Sequence, residues 1–412
     1  MKALVLAGGM PQIELINQLK ARGIETLLAD YYPNPVAMDY ADKFFQISTL
    51  DVAAIQQLAI DEKVDFLITA CTDQALLTVA KVSEALGLPT YVDYQTARNV
   101  TNKAYMKKVF AENGIPTAKH AIAGRIEELD LTDWKYPLIV KPVDCNSSKG
   151  IRRVEDFATL KTAFENAAKL SRTKTAIVEE YISGKEISLD VYIENGKAMV
   201  LDYTTSEKLK FKNRFIIFRS WHPSKISDEV KKKYCEVVQK MADAFGLKNS
   251  PMMVQTLTDG KNIYIIECSA RTGGGIKYLS IKRDCGVDII AAVIDLTLGK
   301  KPHIQALPLS KGYRVTDYVY CKPGVFDHLE GFEELKSSGV IYDYYVLRGR
   351  GTAFGDITNS GDRVCGFTLE ADTFDELRKK HEIVNKQVKV LSPDGEDIMY
   401  HELLDAYDES EA

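Results

Sequence analysis

Residues 2 to 87 alternate short apolar runs with segments of helical period, and this alternation restricts the folds open to the 412-residue chain more than any other feature. "KALVLA" forms a strand that runs into Gly8 and Gly9, after which Ile13, Leu15, Ile16 and Leu19 recur at helical spacing up to Arg22-Gly23. "IETLLAD" makes a second strand ending at Asp30. A helix follows over Val52 to Ile60, "VDFLITAC" is a third strand, and "DQALLTVAKVSEALG" is a helix closed by Gly87. Parallel strands need crossover connections, so strands and helices in this order imply a parallel, doubly wound α/β sheet. The first domain is expected to span residues 1–95.

After a helix at about 98 to 113, strand patterns dominate. "YPLIVKPV", "TAIVEEYI", "EISLDVYI", "KAMVLDY", "MMVQTLT" and "NIYIIECS" are β-branched or alternating, with turn signals at Asn195-Gly196 and Asp259-Gly260. The expected outcome is an α+β domain with largely antiparallel sheets over 96–305. "CGVDIIAAVIDLTLG" reads as one buried helix, and Pro302 and Pro308 mark the boundary. Residues 306–412 form a small α/β segment, with strands near 313 to 320 and 364 to 370 and a helix near 373 to 388.

With 45% hydrophobic and 27% charged residues the chain is expected to be folded throughout. A formal net charge of −5 argues against a nucleic-acid or anionic-membrane partner, and Lys231 to Lys233 read as a solvated helix face. Seven cysteines lie scattered without a CxxC pair, which fits reduced thiols in a cytoplasmic protein rather than zinc ligands or disulfides. No stretch reaches the roughly 18 uninterrupted apolar residues of a membrane span.

Several segments carry chemistry. Gly8-Gly9 followed by Asp30 allows a dinucleotide-binding reading, but Met10, Pro11 and Gln12 stand where a third glycine would be wanted, which favours a structural turn. In "VKPVDCNSSKGI", residues 140 to 151, a strand ends at Lys141-Pro142 and a loop of small polar residues returns at Gly150. Small side chains let backbone N–H groups approach an anion, and Lys141 and Lys149 add charge, so the loop suits a polyphosphate or is an ordinary hairpin loop. "IVEEYISGKEISLDV", residues 177 to 191, breaks at Ser183-Gly184 as if one strand leaves a sheet and the next enters another. Such a connector offers backbone amide groups to a flat heterocycle and a carboxylate to ribose hydroxyls, or it is an exposed edge with solvated acids.

In "IIECSARTGGGIKYL", residues 265 to 279, an apolar strand ends on Glu267, and a carboxylate there needs a cation. The Asp259-Gly260 turn can bring Gln255 beside Glu267, and Ser269 follows two residues on, on the same strand face. Three oxygens facing one point make a partial Mg²⁺ shell, and Arg271 can hold an anionic substrate. The alternative is a plain Glu267–Arg271 ion pair. "NRFIIFRSWHPS", residues 213 to 224, brings Arg214, Arg219, Trp221 and His222 close together, as the lining of an acceptor pocket or as a strand with a His-Pro turn.

In order and combination, Lys103, Lys141, the small-residue loop, the connector and the Gln/Glu/Ser/Arg strand pair after a doubly wound domain resemble the ATP-grasp superfamily. The resemblance covers residues 1 to 300 in architecture and extends more loosely to the end. It implies a small lid subdomain at about 115–182, with ATP between two antiparallel sheets. Lys103 and Lys141 would meet the phosphates beneath a lid formed by Asn146, Ser147, Ser148, Lys149 and Gly150. The Glu180-Tyr181-Ile182 backbone would contact adenine with Glu179 beside it, and Glu186 would sit near the ribose. Gln255, Glu267 and Ser269 would hold Mg²⁺ or Mn²⁺, Ser269 standing where relatives have asparagine. Arg271, with Lys141, would carry the catalytic role of steadying an acyl phosphate. The implied activity is an ATP- and Mg²⁺-dependent carboxylate–amine ligase acting on a small-molecule carboxylate and an amine. A bicarbonate-dependent carboxylase, a carbamoyl-phosphate-synthetase-like enzyme and a nucleotide-binding sensor are the alternatives. Related ligases often form dimers, so a homodimer is a further implication of the resemblance.

Overall fold

The computed structural model describes residues 1–146, 148–209, 215–309 and 311–411. The chain opens with β1 (Lys2–Leu6), α1 (Met10–Ala21), β2 (Glu25–Asp30), β3 (Lys43–Gln46), α2 (Val52–Asp61), β4 (Phe66–Ile68) and α3 (Asp73–Leu86). The strands form a parallel sheet in the order β3-β2-β1-β4. Ile55, Leu58, Val79 and Val82 of α2 and α3 cover one face, and Leu15, Ile16 and Leu19 of α1 the other. β3 was not readable because KFFQ is a partly exposed edge without clear alternation. The Gly8 N–H donates to Asp30 Oδ2 at 2.6 Å, and a Cβ on Gly8 would meet Pro35 Cβ at 2.5 Å. The Gly8–Asp30 pair is therefore closed on itself as a turn.

The helix expected at 98 to 113 is two helices, α4 (Tyr94–Thr101) and α5 (Lys103–Glu112), broken at Asn102, whose side chain caps α5 by accepting from the Ala104 N–H. Next come β5 (His120–Ala123), β6 (Leu138–Pro142), β7 (Arg152–Val154), α6 (Phe157–Leu170) and β8 (Ala176–Glu180). They make an antiparallel sheet in the order β5-β8-β6-β7, packed on α6 through Leu160, Phe164 and Ala167.

After residue 184 the chain enters a second antiparallel sheet through β9 (Lys185–Glu194), β10 (Lys197–Lys208), β11 (Ile217–His222), α7 (Asp228–Ala244), β12 (Ser250–Thr258) and β13 (Ile263–Ser269). Lys231 and Lys233 of α7 pair with Asp228 and Glu229 on its exposed face. The single helix expected at 285 to 299 is α9 (Ile289–Thr297), preceded by α8 (Lys277–Cys285), with Gly286 in the left-handed conformation between them. The charged KYLSIKRD pattern hid α8 from a periodicity reading.

The remaining strands are β14 (Tyr313–Tyr320), β15 (Gly324–Val325), β16 (His328–Glu330), β17 (Asp343–Val346), β18 (Ala353–Phe354), β19 (Arg363–Ala371) and β20 (Lys389–Leu391), with α10 (Phe332–Ser337) and α11 (Phe374–Gln387) among them. β14, β19 and β17 extend the second sheet, whose order is β13-β12-β9-β10-β11-β14-β19-β17. This continuation buries Arg219 and Trp221 in the sheet rather than on a pocket wall, while Phe215 and Ile217 of the same stretch line the cleft described below. β11 is an interior strand between β10 and β14. Arg219 is fully buried, its Nε donating to Asp317 Oδ1 at 2.6 Å, its Nη1 lying 3.3 Å from Glu207 Oε2 and its guanidinium stacking on Tyr407. Trp221 Nε1 donates to Glu207, and His222 Nδ1 lies 3.2 Å from Asp202 Oδ2. Arg214 lies outside the described residues. No helix among the described residues is long and apolar enough to cross a membrane. All seven cysteines are free.

Candidate active site

The two antiparallel sheets face each other across a cleft of about 240 Å³, and the 181–184 connector crosses between them. At the connector Gly184 packs so closely on the second sheet that a Cβ there would lie 2.3 Å from Thr258 O. Gly184→Ala is expected to displace the connector, costing about 1–3 kcal/mol of stability and weakening nucleotide binding. Thermal denaturation and titration of a nucleotide check both effects.

Apolar side chains line one part of the cleft: Ile139, Tyr181, Ile182, Leu257 and Ile266. Such a slot suits a flat heterocycle. Tyr181 is fixed by Arg153, whose guanidinium stacks on its ring at 4.5 Å. Glu180 points its side chain toward Lys119 at 3.8 Å and does not line the cleft. Glu186 lines it and is ion-paired with Lys208, a partner that the sequence did not single out.

The charged part is built by α5, β6, β8 and the β12–β13 hairpin. Lys103 is the first residue of α5, and its Nζ reaches Glu267 Oε2 at 2.8 Å and donates to Cys145 O at 3.0 Å. Burial alone would pull the Lys103 pKa down, but the Glu267 carboxylate outweighs it and the net shift is upward. Gln255 and Glu267 are direct register partners on β12 and β13, as the Asp259-Gly260 turn implied. The cation meeting Glu267 is Lys103, not Arg271, so the simple Glu267–Arg271 pair is excluded.

One helical turn beyond Lys103, Lys107 faces the same way and meets Glu179 Oε1 at 2.8 Å. Lys141 meets the other oxygen of Glu179 at 2.5 Å. Burial would raise the Glu179 pKa, but the two ammonium groups drive it down to about 2. Burial also lowers the Lys107 pKa. Glu179 therefore lines the floor as the hub of a lysine pair rather than standing free beside a heterocycle. Lys107 escaped the sequence reading because a lysine on a helix normally reads as a solvated face, and its partner lies 72 residues away on another sheet.

The 143–151 loop hangs over this charged part, with Asn146, Ser148 and Lys149 lining the cleft. Gly150 adopts a φ of +79°, and a Cβ there would meet Leu170 Cδ1 at 2.8 Å, so the loop's return requires glycine. Ser148 Oγ donates to Phe215 O at 2.7 Å. Ser147 lies outside the described residues.

Two expected residues sit elsewhere. Ser269 is buried beside Asp73 rather than on the cleft wall. Arg271 has left the strand: its Nε donates to Asp73 Oδ1 at 2.6 Å and its Nη2 to Asp73 Oδ2. Asp73, at the start of α3, carried no sequence signal that would link it to a residue 198 positions away. Behind Arg271, the Gly273 N–H donates to Asp190, and a buried cluster continues through Lys277 and Asp202 to His222. Burial lowers the His222 pKa and raises that of Asp190.

The cleft opposes lysines and carboxylates between two antiparallel sheets, and the similar proteins are ATP-dependent ligases. A family model described as an ATP-grasp domain matches residues 134–279. A formate-dependent phosphoribosylglycinamide formyltransferase from Sulfurisphaera tokodaii is 26% identical over 284 residues, 66% of this chain and 70% of that protein. Its Ignicoccus hospitalis counterpart is 27% identical, and the match spans only 63% of its length. Among solved structures, the biotin carboxylase domain of Hydrogenobacter thermophilus 2-oxoglutarate carboxylase, solved as a dimer with MgADP and bicarbonate, superposes with a TM-score of 0.79 at 18% identity, covering 98% of this chain and 92% of that one. An L-amino acid ligase from Bacillus licheniformis superposes with a TM-score of 0.76 at 18% identity, covering 95% and 98%. Residues 134–279 are thus matched by an ATP-grasp domain model, and the chain shares the fold of the two structures named.

Proposed function

We propose that the chain is an ATP- and Mg²⁺-dependent ligase that activates a small carboxylate as an acyl phosphate and joins it to an amine. The observation carrying this reading is the pairing of two buried cleft lysines with carboxylates, Lys103 with Glu267 and Lys141 with Glu179, beneath a loop of small residues. Gln255 and Glu267, adjacent in register and both lining the cleft, supply the hard oxygen donors that Mg²⁺ prefers. Bound there, the ion would offset the charge of the phosphates.

The steps follow from the side chains. The substrate carboxylate attacks the γ-phosphorus, its new O–P bond forming as the bond to the β–γ bridging oxygen breaks, and ADP carries away that electron pair. Lys103 and Lys141 stabilise the charge on the transferring group, which calls for positioning and electrostatics rather than a protein nucleophile. The closed 143–151 loop keeps water from the acyl phosphate. The amine then adds to the carbonyl carbon of the acyl phosphate, phosphate leaves and the ammonium proton is released. The 181–184 connector takes adenine and Glu186 the ribose.

Because Lys103 and Glu267 neutralise each other, phosphate and metal compete with one ion pair, and each frees a partner for the other. Mg²⁺ is expected to tighten ADP binding by roughly 5–150-fold, and ADP to tighten Mg²⁺ binding by the same factor. In Lys103→Met this coupling shrinks, which titration calorimetry with and without Mg²⁺ reads directly.

The activity test is phosphate release against pooled carboxylates and amines. Stoichiometric ADP, phosphate and amide, formed only when both substrates are present, is the expected result. Phosphate release that depends on bicarbonate and needs no amine would instead establish the carboxylase reading, and no nucleotide turnover with any pool would overturn the ligase reading.

A further inference from the structure

The second sheet has two unlike faces. On one, Ile187, Leu189 and Val191 of β9 and Met252 and Val254 of β12 enter an apolar core. On the other, the same strands bury hydroxyls and charges. Two register rows carry this polar face away from the cleft. Glu267 and Gln255 are followed by Ser188 on β9 and Thr204 on β10. Glu186 is followed by Ser206 on β10, Ser220 on β11 and Thr316 on β14. Register partners share a face and adjacent strands lie about 4.8 Å apart. Ser188 and Ser206 therefore stand next to residues that line the cleft, Gln255 and Glu186.

The hydroxyls on this face divide into two kinds. Thr316 Oγ1 is 2.9 Å from Thr368 Oγ1, which is 3.2 Å from Tyr345 Oη, and Thr204 Oγ1 donates to Asp202 Oδ2 at 3.0 Å. Ser188, Ser206 and Ser220 are also buried, yet their hydroxyls have no hydrogen-bond partner among the described residues. One row below Ser188, Asp190 Oδ2 and Asp202 Oδ1 accept no hydrogen bond either, although Lys277 Nζ stands 3.8 Å from the former. Burying a polar group without a partner is costly, and a covered sheet face is better served by Val or Ile. Such groups on one face, beginning at the cleft wall, point to a ligand that supplies the missing partners. Gly275 bounds the far side: its φ is +68°, and a Cβ there would come within 2.9 Å of Tyr318 Oη.

We propose that Ser188, Ser206 and Ser220 form the subsite of the acyl substrate and select a small carboxylate with a hydrogen-bonding substituent, hydroxyl or ammonium, on the carbon next to the reacting group. This rests on the ligase reading above, which puts the reacting carboxylate beside Gln255 and Glu267. One strand spacing separates Gln255 from Ser188, a span that such a substituent and one hydrogen bond cover.

The test measures ATP-dependent phosphate release with pooled amines and acetate, propionate, butyrate or succinate, each against its 2-hydroxy and 2-amino counterparts, alongside calorimetry of a non-hydrolysable ATP analogue. In the native protein a substituted carboxylate should exceed its unsubstituted counterpart in kcat/KM by about 10⁴-fold, and the 2-hydroxy and 2-amino arms identify the substituent. Ser206→Ala with Ser220→Ala should cut that ratio at least about tenfold. Analogue affinity should stay within about twofold of native, and the unfolding midpoint should hold or rise, because unpartnered hydroxyls are removed. Equal turnover of substituted and unsubstituted carboxylates, a ratio untouched by the double variant, or no turnover of any of these carboxylates would overturn the proposal alone. Absence of analogue binding by the native protein would overturn it together with the ligase reading.

Discussion

Glu267→Ala is expected to lower ATP turnover by on the order of 10³-fold while leaving metal-free nucleotide binding intact or tighter. The split follows from the pair that Glu267 makes. Its carboxylate sits 2.8 Å from Lys103 and lies in register beside Gln255, so its removal takes away the proposed metal ligand and simultaneously frees a buried ammonium. The freed Lys103 can meet phosphate without first breaking an ion pair. The metal, by contrast, loses its charged donor, and the charge on the transferring phosphoryl group is no longer balanced. Glu267→Gln should fall between the two, keeping an oxygen but not the charge. Phosphate release and titration calorimetry measure the two halves. Turnover close to that of the native protein would remove the metal role assigned to Glu267.

The largest expected effect on stability belongs to Glu179→Gln. Glu179 is buried between Lys107 and Lys141, and neutralising it leaves two ammonium groups facing each other without a counter-charge. Breaking a buried ion pair from one side costs about 3–5 kcal/mol, and denaturant unfolding should show a loss of that size. The same group sets an acid dependence. Its carboxyl is lowered from an ordinary 4.5 to about 2, so the unfolded chain binds the proton more readily than the folded one. The resulting stabilisation, about 3 kcal/mol, is complete above roughly pH 5 and drains as pH falls toward 2. The native protein should lose this contribution over that window, and Glu179→Gln should lack it. Parallel unfolding curves for the two proteins across the window would contradict the assignment.

Local pattern made much of the fold and part of the site legible. The β1-turn-α1 unit, the β12–β13 hairpin and the 143–151 loop each lie within about thirty residues, and period, glycine and turn chemistry define them without tertiary information. The register of Gln255 against Glu267 follows from one Asp-Gly turn, and the break at Ser183-Gly184 marks where the chain changes sheets. What stayed hidden depends on contacts distant in sequence. Lys107 looks like a surface residue until β8 brings Glu179 onto it, and Asp73 meets Arg271 only because the first sheet docks against the 270–276 segment. Arg219 and Trp221 pointed to an open pocket because nothing local announces that β14 will pair with β11 and close over them. Charged residues in a strand read as exposed unless the strand beyond is known.

The central claim is that the cleft between the two antiparallel sheets holds one Mg²⁺-dependent nucleoside triphosphate per chain. Calorimetric titration of a non-hydrolysable ATP analogue into the native protein and into Glu267→Ala, each with and without Mg²⁺, tests it most directly. The account predicts a single site whose affinity in the native protein rises with Mg²⁺, and a response to Mg²⁺ that largely disappears in Glu267→Ala. No binding in the native protein, or binding there that is indifferent to Mg²⁺, would contradict it.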